Sequence, residues 1–328
     1  MITSLRISVN HYNVASMRMM TKIADPNIYY INVLEQHPKT QEVAIKHCNH
    51  YKRYSDSVFL PQHTVDAFQE AKEFIDSFYK DHQHDKKHVI LDSGCGRGMS
   101  SIKLAAKYPN LPVIGIDRSI HRLTKNNAEY LSPQKLNELL TRVNIDNNKM
   151  RKYNNNDEDN DEEDNYEEDD DEDSVDTSQH PNVLLIQAEL ATFWMLAATR
   201  SDWIIEYHYL LYPNPYPKSK HLKRRWHGHP VFPALLALGG NLVVRSNWPI
   251  YCDEVVSAIR AIDSANALPG LRCNVDDAHQ IPFPDEINSM SHFERKYVLA
   301  NVPLFEATAD LHKSSLQERL TILQASED

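Results

Sequence analysis

The chain has 328 residues, of which 41% are hydrophobic and 25% are charged, so it is neither fibrous nor wholly disordered and can hold one large domain or two or three smaller ones. Its formal net charge of -11 has a local origin, because residues 157–173 contain fourteen Asp or Glu and no Lys or Arg. Taking those fourteen charges away from -11 leaves +3, so the rest of the chain is mildly basic.

Residues 1–85 read as a polar N-terminal extension that is rich in His and Tyr. One amphipathic helix is predicted within it, from Val65 to Tyr79, because apolar residues recur there along one helical face. We place the boundary with the following domain between residues 85 and 86.

Strands and helices alternate from residue 86 onward. A short buried strand at Val89–Leu91, a helix ending at Lys107 and a second strand at Val113–Ile116 form a βαβ unit. The later predicted elements are a helix at 120–140, a strand at 183–187, a helix at 192–199, strands at 203–211 and 241–245, a helix at 252–262, and strands near 271–275 and 298–306. This alternation predicts an α/β fold with a doubly wound, mostly parallel sheet covered on both faces.

A low-complexity insert interrupts the alternation at about residues 146–179. It consists almost entirely of Asn, Asp, Glu and other polar or small residues, which cannot bury enough apolar surface to fold. We expect a disordered, solvated insert near the amino-terminal edge of the sheet, away from the edge where such sheets bind ligands. An acidic mimic of nucleic acid remains the alternative.

Three of the eight glycines, Gly94, Gly96 and Gly98, follow the first buried strand directly. Glycine permits positive φ and lets backbone N–H groups approach a ligand closely. Asp117 lies 21 residues beyond Gly96, past the second strand, where a carboxylate can accept hydrogen bonds from both hydroxyls of a ribose. A tight turn without a ligand is the alternative, but strand, glycines and acid together favour a nucleoside cofactor.

The spacing Asp-x-Gly-x-Gly-x-Gly begins at Asp92 and differs from the dinucleotide pattern Gly-x-Gly-x-x-Gly. It resembles the first motif of the class I S-adenosylmethionine-dependent methyltransferases. The resemblance implies S-adenosylmethionine, and not NAD, as the cofactor.

A second unusual segment follows the fourth predicted strand. It reads Tyr-Pro-Asn-Pro-Tyr-Pro-Lys over residues 212–218 and Ser-Lys-His-Leu-Lys-Arg-Arg over residues 219–225. The prolines stiffen the backbone at the carboxyl end of a strand, where open α/β sheets bind ligands, and the cations suit phosphates. A solvated charged loop is the alternative when charge alone is considered.

This run, from Pro213 to Arg225, resembles the signature of the tRNA (guanine-N7)-methyltransferases of the TrmB type, which is Pro-Asp-Pro-Trp-Pro-Lys, then Lys or Ala, Arg, His, any residue and Lys-Arg-Arg. The resemblance covers roughly residues 85–310, apart from the acidic insert. It implies a class I methyltransferase (Rossmann-like) domain over residues 86–328, tRNA as the partner, and methyl transfer from S-adenosylmethionine to N7 of a guanine.

The resemblance also assigns roles position by position. Cofactor binding falls on Asp92, Gly94, Gly96, Gly98, Asp117 and Glu189, and the catalytic position is Asn214. Substrate binding falls on Lys218, Asn247, Ser291 and Glu294. RNA binding falls on Lys220, His221, Lys223, Arg224 and Arg225.

Two of these positions depart from the family, because Asn214 and Asn247 stand where the family has Asp. Guanine N7 carries a lone pair and no proton, so its methylation depends on positioning and needs no strong base. An Asp accepts hydrogen bonds on both oxygens, whereas Asn offers one acceptor and one donor group. A loss of about 1 to 3 kcal/mol at each site would slow transfer roughly five- to 150-fold.

Two other functions stay open. Asn214-Pro215-Tyr216-Pro217 resembles the Asn/Asp-Pro-Pro-Tyr motif of amino-methyltransferases that act on adenine or cytosine, with the second proline and the aromatic residue exchanged. The other is a catalytically impaired methyltransferase-fold RNA-binding protein, since fold does not determine function.

The remaining features indicate a cytoplasmic protein. The four cysteines lie far apart without a Cys-x-x-Cys pair, which favours reduced thiols. No segment approaches the roughly 18 apolar residues that a membrane span requires. The histidines at 82, 84 and 88 have no Cys or carboxylate at ligand spacing, so we predict no metal.

Overall fold

The computed structural model describes residues 35–80, 86–125, 180–284, 288–313 and 315–324. The helices are α1 (Thr40–Asn49), α2 (Tyr51–Ser57), α3 (Gln62–Phe78), α4 (Met99–Lys107), α5 (Ile120–Lys125), α6 (Leu190–Arg200), α7 (Phe232–Ala237), α8 (Pro249–Ser264), α9 (His292–Leu299) and α10 (Leu316–Gln324). The strands are β1 (Lys87–Ser93), β2 (Val113–Asp117), β3 (Val183–Gln187), β4 (Trp203–Leu211), β5 (Gly240–Ser246), β6 (Cys273–Val275), β7 (His279–Ile281) and β8 (Leu304–Leu311). Two short 3-10 helices, Ser219–Arg224 and Trp226–Gly228, follow β4.

All eight strands form one sheet in the order β3-β2-β1-β4-β5-β8-β6, with β7 also paired to β8. Strands β1 to β5 pair in parallel, and β8 is antiparallel to its three neighbours. This confirms the predicted doubly wound, mostly parallel α/β sheet. The strand order reverses between β1 and β4, and the carboxyl ends of β1 to β5 share one edge, which is where open sheets of this kind bind ligands.

The central strands are buried on both faces, which explains their continuous apolar sequences. Ile90 and Leu91 of β1 point to opposite faces and both are fully buried. The sequence predicted β3 and β4 with the correct first and last residues.

Helices α1 to α3, which lie within the predicted N-terminal extension, belong to the same hydrophobic core as the sheet. Cys48 of α1, Tyr51 of α2 and Phe68 of α3 lie in one cluster of buried side chains with the strands. Helix α3 packs on α6 and β3, and α1 packs on α8. The apolar stripe of α1 is narrow and made of small residues, so the periodicity of the sequence does not reveal it.

The structure also corrects the predicted strand at 298–306. Helix α9 continues to Leu299, and β8 begins only at Leu304. The apolar residues around 298 continue the helix, and a short apolar run does not distinguish helix from strand. The acidic insert at about 146–179 and the end of the predicted helix at 120–140 lie outside the described residues.

The cysteines are all unpaired, and three of the four are buried. Burial raises the pKa of the Cys48 thiol to about 12, so that thiol stays protonated and packs as an apolar group. Within the described ranges, no helix has the length and apolar character that a membrane crossing requires.

Candidate functional site

The turn between β1 and α4 has three glycines with left-handed backbone conformations, at φ of 81° for Gly94, 60° for Gly96 and 87° for Gly98. A Cβ atom on Gly94 or Gly96 would meet no atom of the described residues within 4 Å, so these residues leave the space above the turn open. A Cβ on Gly98 would lie 2.5 Å from Cδ1 of Leu185, so this glycine allows the turn to pack on β3. The first two glycines fit a cradle for a ligand, and the third holds the cradle on the sheet.

Asp92, near the end of β1, supports this turn from below. Its Oδ2 atom accepts hydrogen bonds from Oγ of Ser100 at 2.5 Å and from Oγ of Ser101 at 2.7 Å. Its Oδ1 atom is buried and has no hydrogen-bond partner among the described residues. A buried carboxylate oxygen without a partner fits a cationic donor on a bound ligand, such as the amino group of S-adenosylmethionine.

Asp117, the last residue of β2, lies beside the glycine turn. Its Oδ2 atom accepts a hydrogen bond from the backbone N–H of Gly96 at 2.9 Å, and Oδ1 accepts one from Ser119 at 2.8 Å. Burial raises the pKa of Asp117, and these two hydrogen bonds act in the opposite direction. Each carboxylate oxygen keeps a second lone pair, which is the acceptor that a ribose hydroxyl requires.

Glu189 lies at the start of α6, directly after β3. The backbone N–H of Ala188 donates to the carbonyl of Asp117 at 3.1 Å, so these two strand ends are adjacent. The N–H of Glu189 donates to Oγ1 of Thr64 at 3.0 Å. Thr64 lies in the first turn of α3, and no feature of the sequence linked it to this edge of the sheet.

The proline-rich loop, residues 212–217, begins at the carboxyl end of β4 and has an irregular backbone. Tyr212 and Tyr216 have positive φ values of 54° and 41°, which are uncommon for residues other than glycine. Asn214 is exposed, and its Oδ1 atom accepts a hydrogen bond from the N–H of Tyr216 at 3.2 Å. The side-chain oxygen of Asn214 therefore bonds within the loop, and the amide nitrogen of Asn214 can donate to a ligand.

Arg225 holds this loop from inside the protein, which corrects the prediction that it contacts RNA. It is only 2% exposed, because its guanidinium lies over the ring of Trp248 at 4.9 Å from the centroid. Its Nε and Nη2 atoms donate to the carbonyls of Tyr216 at 3.1 Å and Pro217 at 3.2 Å. Its Nη1 atom donates to Glu254 at 2.5 Å. Arg225 is therefore a positioning residue.

The other cations of the segment are exposed and form what we name the basic surface, which consists of Lys218, Lys220, Lys223 and Arg224. Leu222 is buried and anchors the 3-10 helix, so its neighbours face solvent. The ring of His221 meets the ring of Tyr216 edge to face at a centroid distance of 6.2 Å. The structure therefore brings the cations next to the proline-rich loop.

Glu294 connects α9 to the end of β4. It is fully buried and accepts hydrogen bonds from the Tyr212 hydroxyl at 2.8 Å, from Nη1 of Arg245 at 3.2 Å and from the N–H of Met290 at 3.1 Å. This corrects the prediction that Glu294 contacts substrate directly. Ser291 caps α9 by accepting from the N–H of Glu294 at 3.1 Å, and Ser-x-x-Glu is a known helix-start pattern.

Asn247 follows β5 and is 5% exposed, so little of its side chain reaches the surface of this edge. His208 of β4 is also buried, with its Nε2 atom 2.9 Å from Oγ of Ser93. Burial lowers the pKa of His208 to about 3, so it stays neutral. Among the described residues, no group of three or more His, Cys, Asp or Glu is placed to hold a metal ion.

The burial of Asp92 predicts a pH dependence of ligand binding. Burial raises its pKa to about 6, against the hydrogen bonds from Ser100 and Ser101 that lower it. If a cationic amino group binds the ionised form, the dissociation constant of S-adenosylmethionine should rise roughly tenfold between pH 7 and pH 5. Titration calorimetry measures this, and Asp92→Asn should bind weakly and without that dependence. A wild-type affinity that is constant over the same pH range would contradict the assignment.

No family model and no curated protein matches the chain. Among solved structures, the 16S rRNA methyltransferase KamB is 15% identical with a TM-score of 0.38, over 75% of this chain and 94% of that one. An antibiotic-related methyltransferase is 14% identical with a TM-score of 0.40, over 74% and 92% of the two chains. A 16S rRNA (adenine(1408)-N(1))-methyltransferase from Catenulisporales acidiphilia, solved with its cosubstrate SAM, is 14% identical with a TM-score of 0.37, over 77% and 92%. At these identities the likeness concerns the fold alone.

Proposed function

We propose that this protein is an S-adenosylmethionine-dependent RNA methyltransferase that acts on N7 of a guanine in tRNA. The observation that carries the proposal is the composition of one sheet edge. An open glycine turn beside Asp92 and Asp117 lies next to the proline-rich loop with its exposed Asn214, and the basic surface follows directly. A nucleoside cofactor, a base and a phosphate backbone each have a matching group along this edge.

The cofactor is held by three carboxylates in this proposal. The unpartnered oxygen of Asp92 binds the amino group, the spare lone pairs of Asp117 accept from the ribose hydroxyls, and Glu189 accepts from the amino group of adenine. When bound, S-adenosylmethionine supplies an electrophilic methyl group on a sulfonium. Gly94 and Gly96 leave room for this group, because a Cβ atom at either position would meet no atom of the described residues within 4 Å.

The hydrogen bonding of Asn214 favours guanine over adenine. Its carbonyl oxygen accepts from the N–H of Tyr216, so in this proposal its amide nitrogen is the group that binds the base. Guanine has an acceptor, O6, next to N7, whereas adenine has an amino donor at the equivalent position. An amide donor therefore pairs with O6 and holds N7 beside it, and this is the reason to prefer guanine to the amino group of adenine or cytosine.

Guanine N7 is the nucleophile of the proposed reaction, and its chemistry requires the protein only to position the reactants. N7 attacks with its own lone pair, so the protein needs to supply no general base, and the neutral, buried His208 is not required as one. What the site must provide is an attack distance of about 3 to 3.5 Å and a fixed angle. The prolines, together with the two hydrogen bonds from Arg225 to the loop carbonyls, supply that rigidity.

Transfer of labelled methyl from S-adenosylmethionine to unmodified tRNA and to 16S rRNA tests the substrate class. We expect label in tRNA. The Lys223→Glu, Arg224→Glu double variant should reduce this label, because it weakens RNA binding. The slope of log affinity against log salt concentration should fall by about 1 for each phosphate that the variant no longer neutralises. Lys80→Glu is the matched control, because Lys80 is exposed beside the start of β1, at the opposite sheet edge. Label in rRNA alone would contradict the proposal. So would an equal loss of transfer in the Lys223→Glu, Arg224→Glu double variant and in the Lys80→Glu control.

A further inference from the structure

Helix α1 lies beside the segment that follows the basic surface, and one buried carboxylate contacts both. Helix α1 packs on the 3-10 helix Trp226–Gly228, which directly follows the basic surface. Glu254 accepts from the N–H of His37 at 2.6 Å, from Arg225 at 2.5 Å and from Nε2 of His227 at 2.8 Å. The chain entering α1 and the chain leaving the basic surface are therefore held at fixed positions relative to each other.

The charges of α1 and of the basic surface are close enough to interact. His47 is half-buried on the side of α1 that faces Gly228, and its ring forms a hydrogen bond with the backbone of Gly228. Burial lowers the pKa of His47, and the charges of Lys223, Lys46 and His50 lower it further. Lys223 lies in the basic surface and Lys46 lies in α1, so positive charges from both segments converge around one side chain.

The exposed face of α1 is entirely polar. Its exposed residues, with the cap residue that follows, are Gln41, Glu42, Lys46, Asn49 and His50. A membrane-binding helix requires large apolar residues on the face that meets the lipid, and this face has none. A polyanion with a regular spacing of phosphates suits a polar face with converging positive charge.

We propose that Lys46 and His50 extend the basic surface into one continuous phosphate-binding strip, which takes the backbone of the RNA that the proline-rich loop engages. This inference rests on the proposed function and names a second contact region for the same RNA. In this strip α1, which contains none of the methyltransferase motifs, contacts the RNA backbone. The site at the sheet edge holds the reacting base.

Equilibrium binding of unmodified tRNA to the full chain, at several salt concentrations, tests the strip. The Lys46→Glu, His50→Glu double variant should raise the dissociation constant about fivefold or more and reduce the salt slope by about 1 to 2. Lys46→Gln, which removes one charge without adding another, should give a smaller change in the same direction. The Lys80→Glu control should bind tRNA as the wild type does, and all variants should bind S-adenosylmethionine equally.

The outcomes separate this inference from the proposed function. If the wild type binds tRNA and Lys223→Glu weakens binding, but the α1 variants bind like the Lys80→Glu control, the strip is wrong and the proposed function stands. If the wild type binds S-adenosylmethionine and no tRNA, both are wrong. A loss of S-adenosylmethionine binding in the Lys46→Gln variant would also overturn the inference. The effect of the α1 variants on tRNA binding would then come from a changed fold and not from lost phosphate contacts.

Discussion

Replacing Asp117 with Ala is expected to weaken the binding of S-adenosylmethionine by at least about a hundredfold. Two charge-assisted hydrogen bonds to the ribose would be removed, each worth about 1.5 to 3 kcal/mol. The N–H of Gly96, which donates to Asp117 at 2.9 Å, would lose its partner as well, so the glycine turn would also be less well ordered. Calorimetric titration of the purified chain with S-adenosylmethionine measures the change.

Two further variants show whether this effect comes from the ribose contacts. Asp117→Asn keeps one acceptor and should therefore bind with an intermediate affinity. Asp310→Ala removes an exposed acid from β8 and should leave the affinity unchanged. If Asp117→Ala bound the cofactor as tightly as the wild type, the cofactor would not occupy the space above the glycine turn.

Replacing Glu254 with Ala should lower the free energy of unfolding by about 3 to 5 kcal/mol, because it leaves the Arg225 guanidinium buried without its counter-charge. Glu254 and Arg225 are 0% and 2% exposed, so water cannot replace the missing partner. Burial would raise the pKa of Glu254, but the hydrogen bond from His227 and the charge of Arg225 keep it below its ordinary value. Glu254 is therefore ionised at neutral pH, and denaturant unfolding measures the destabilisation.

The matched control for this prediction is Glu42→Ala, which removes an exposed acid from α1 and should change stability by no more than about 0.5 kcal/mol. Combining Glu254→Leu with Arg225→Met removes both charges and should recover part of the stability. The combined variant should still transfer methyl slowly, because the proline-rich loop no longer receives its two hydrogen bonds from Arg225. Equal stability of Glu254→Ala and the wild type would show that the buried ion pair does not support the fold.

The positions of the glycine turn and of the two acids beside it could be predicted from the sequence, whereas their binding of a cofactor stays a prediction. A buried apolar strand, a glycine cluster and an acid after the next strand are all local features, and parallel pairing of β1 with β2 brings them to one edge. Asp92, Gly96 and Asp117 accordingly lie together, joined by the bond between Gly96 and Asp117. The bounds of β3 and β4 were also predictable, because each strand has a short, mostly apolar run with polar or turn residues at its ends.

The parts that the sequence did not predict depend on distant contacts. Arg225 ends a run of cations, and nothing in that run distinguishes it from Arg224. It is buried because Glu254, 29 residues later, and the ring of Trp248 provide its partners. Glu294 similarly matched a family motif, but its burial follows from Tyr212, which is 82 residues earlier in the chain.

The position of α1 in the core could also not be predicted from local sequence patterns. Ala44 and Cys48 are buried because α8 and the 3-10 helix at Trp226–Gly228 cover them, and both covering elements are encoded about 180 residues or more away. A helix with small buried residues and a polar exposed face has little periodicity of its own. Its position next to the 3-10 helix Trp226–Gly228 depends on tertiary packing alone.

Nucleoside analysis of tRNA methylated by the purified chain tests the central claim most directly. Unmodified tRNA is incubated with labelled S-adenosylmethionine, digested, and the labelled nucleoside is identified. We predict label in 7-methylguanosine, because the amide of Asn214 pairs with O6 of a guanine and presents N7 to the methyl group. Label in an N-methylated adenosine or cytidine, or cofactor binding without any transfer, would contradict this account.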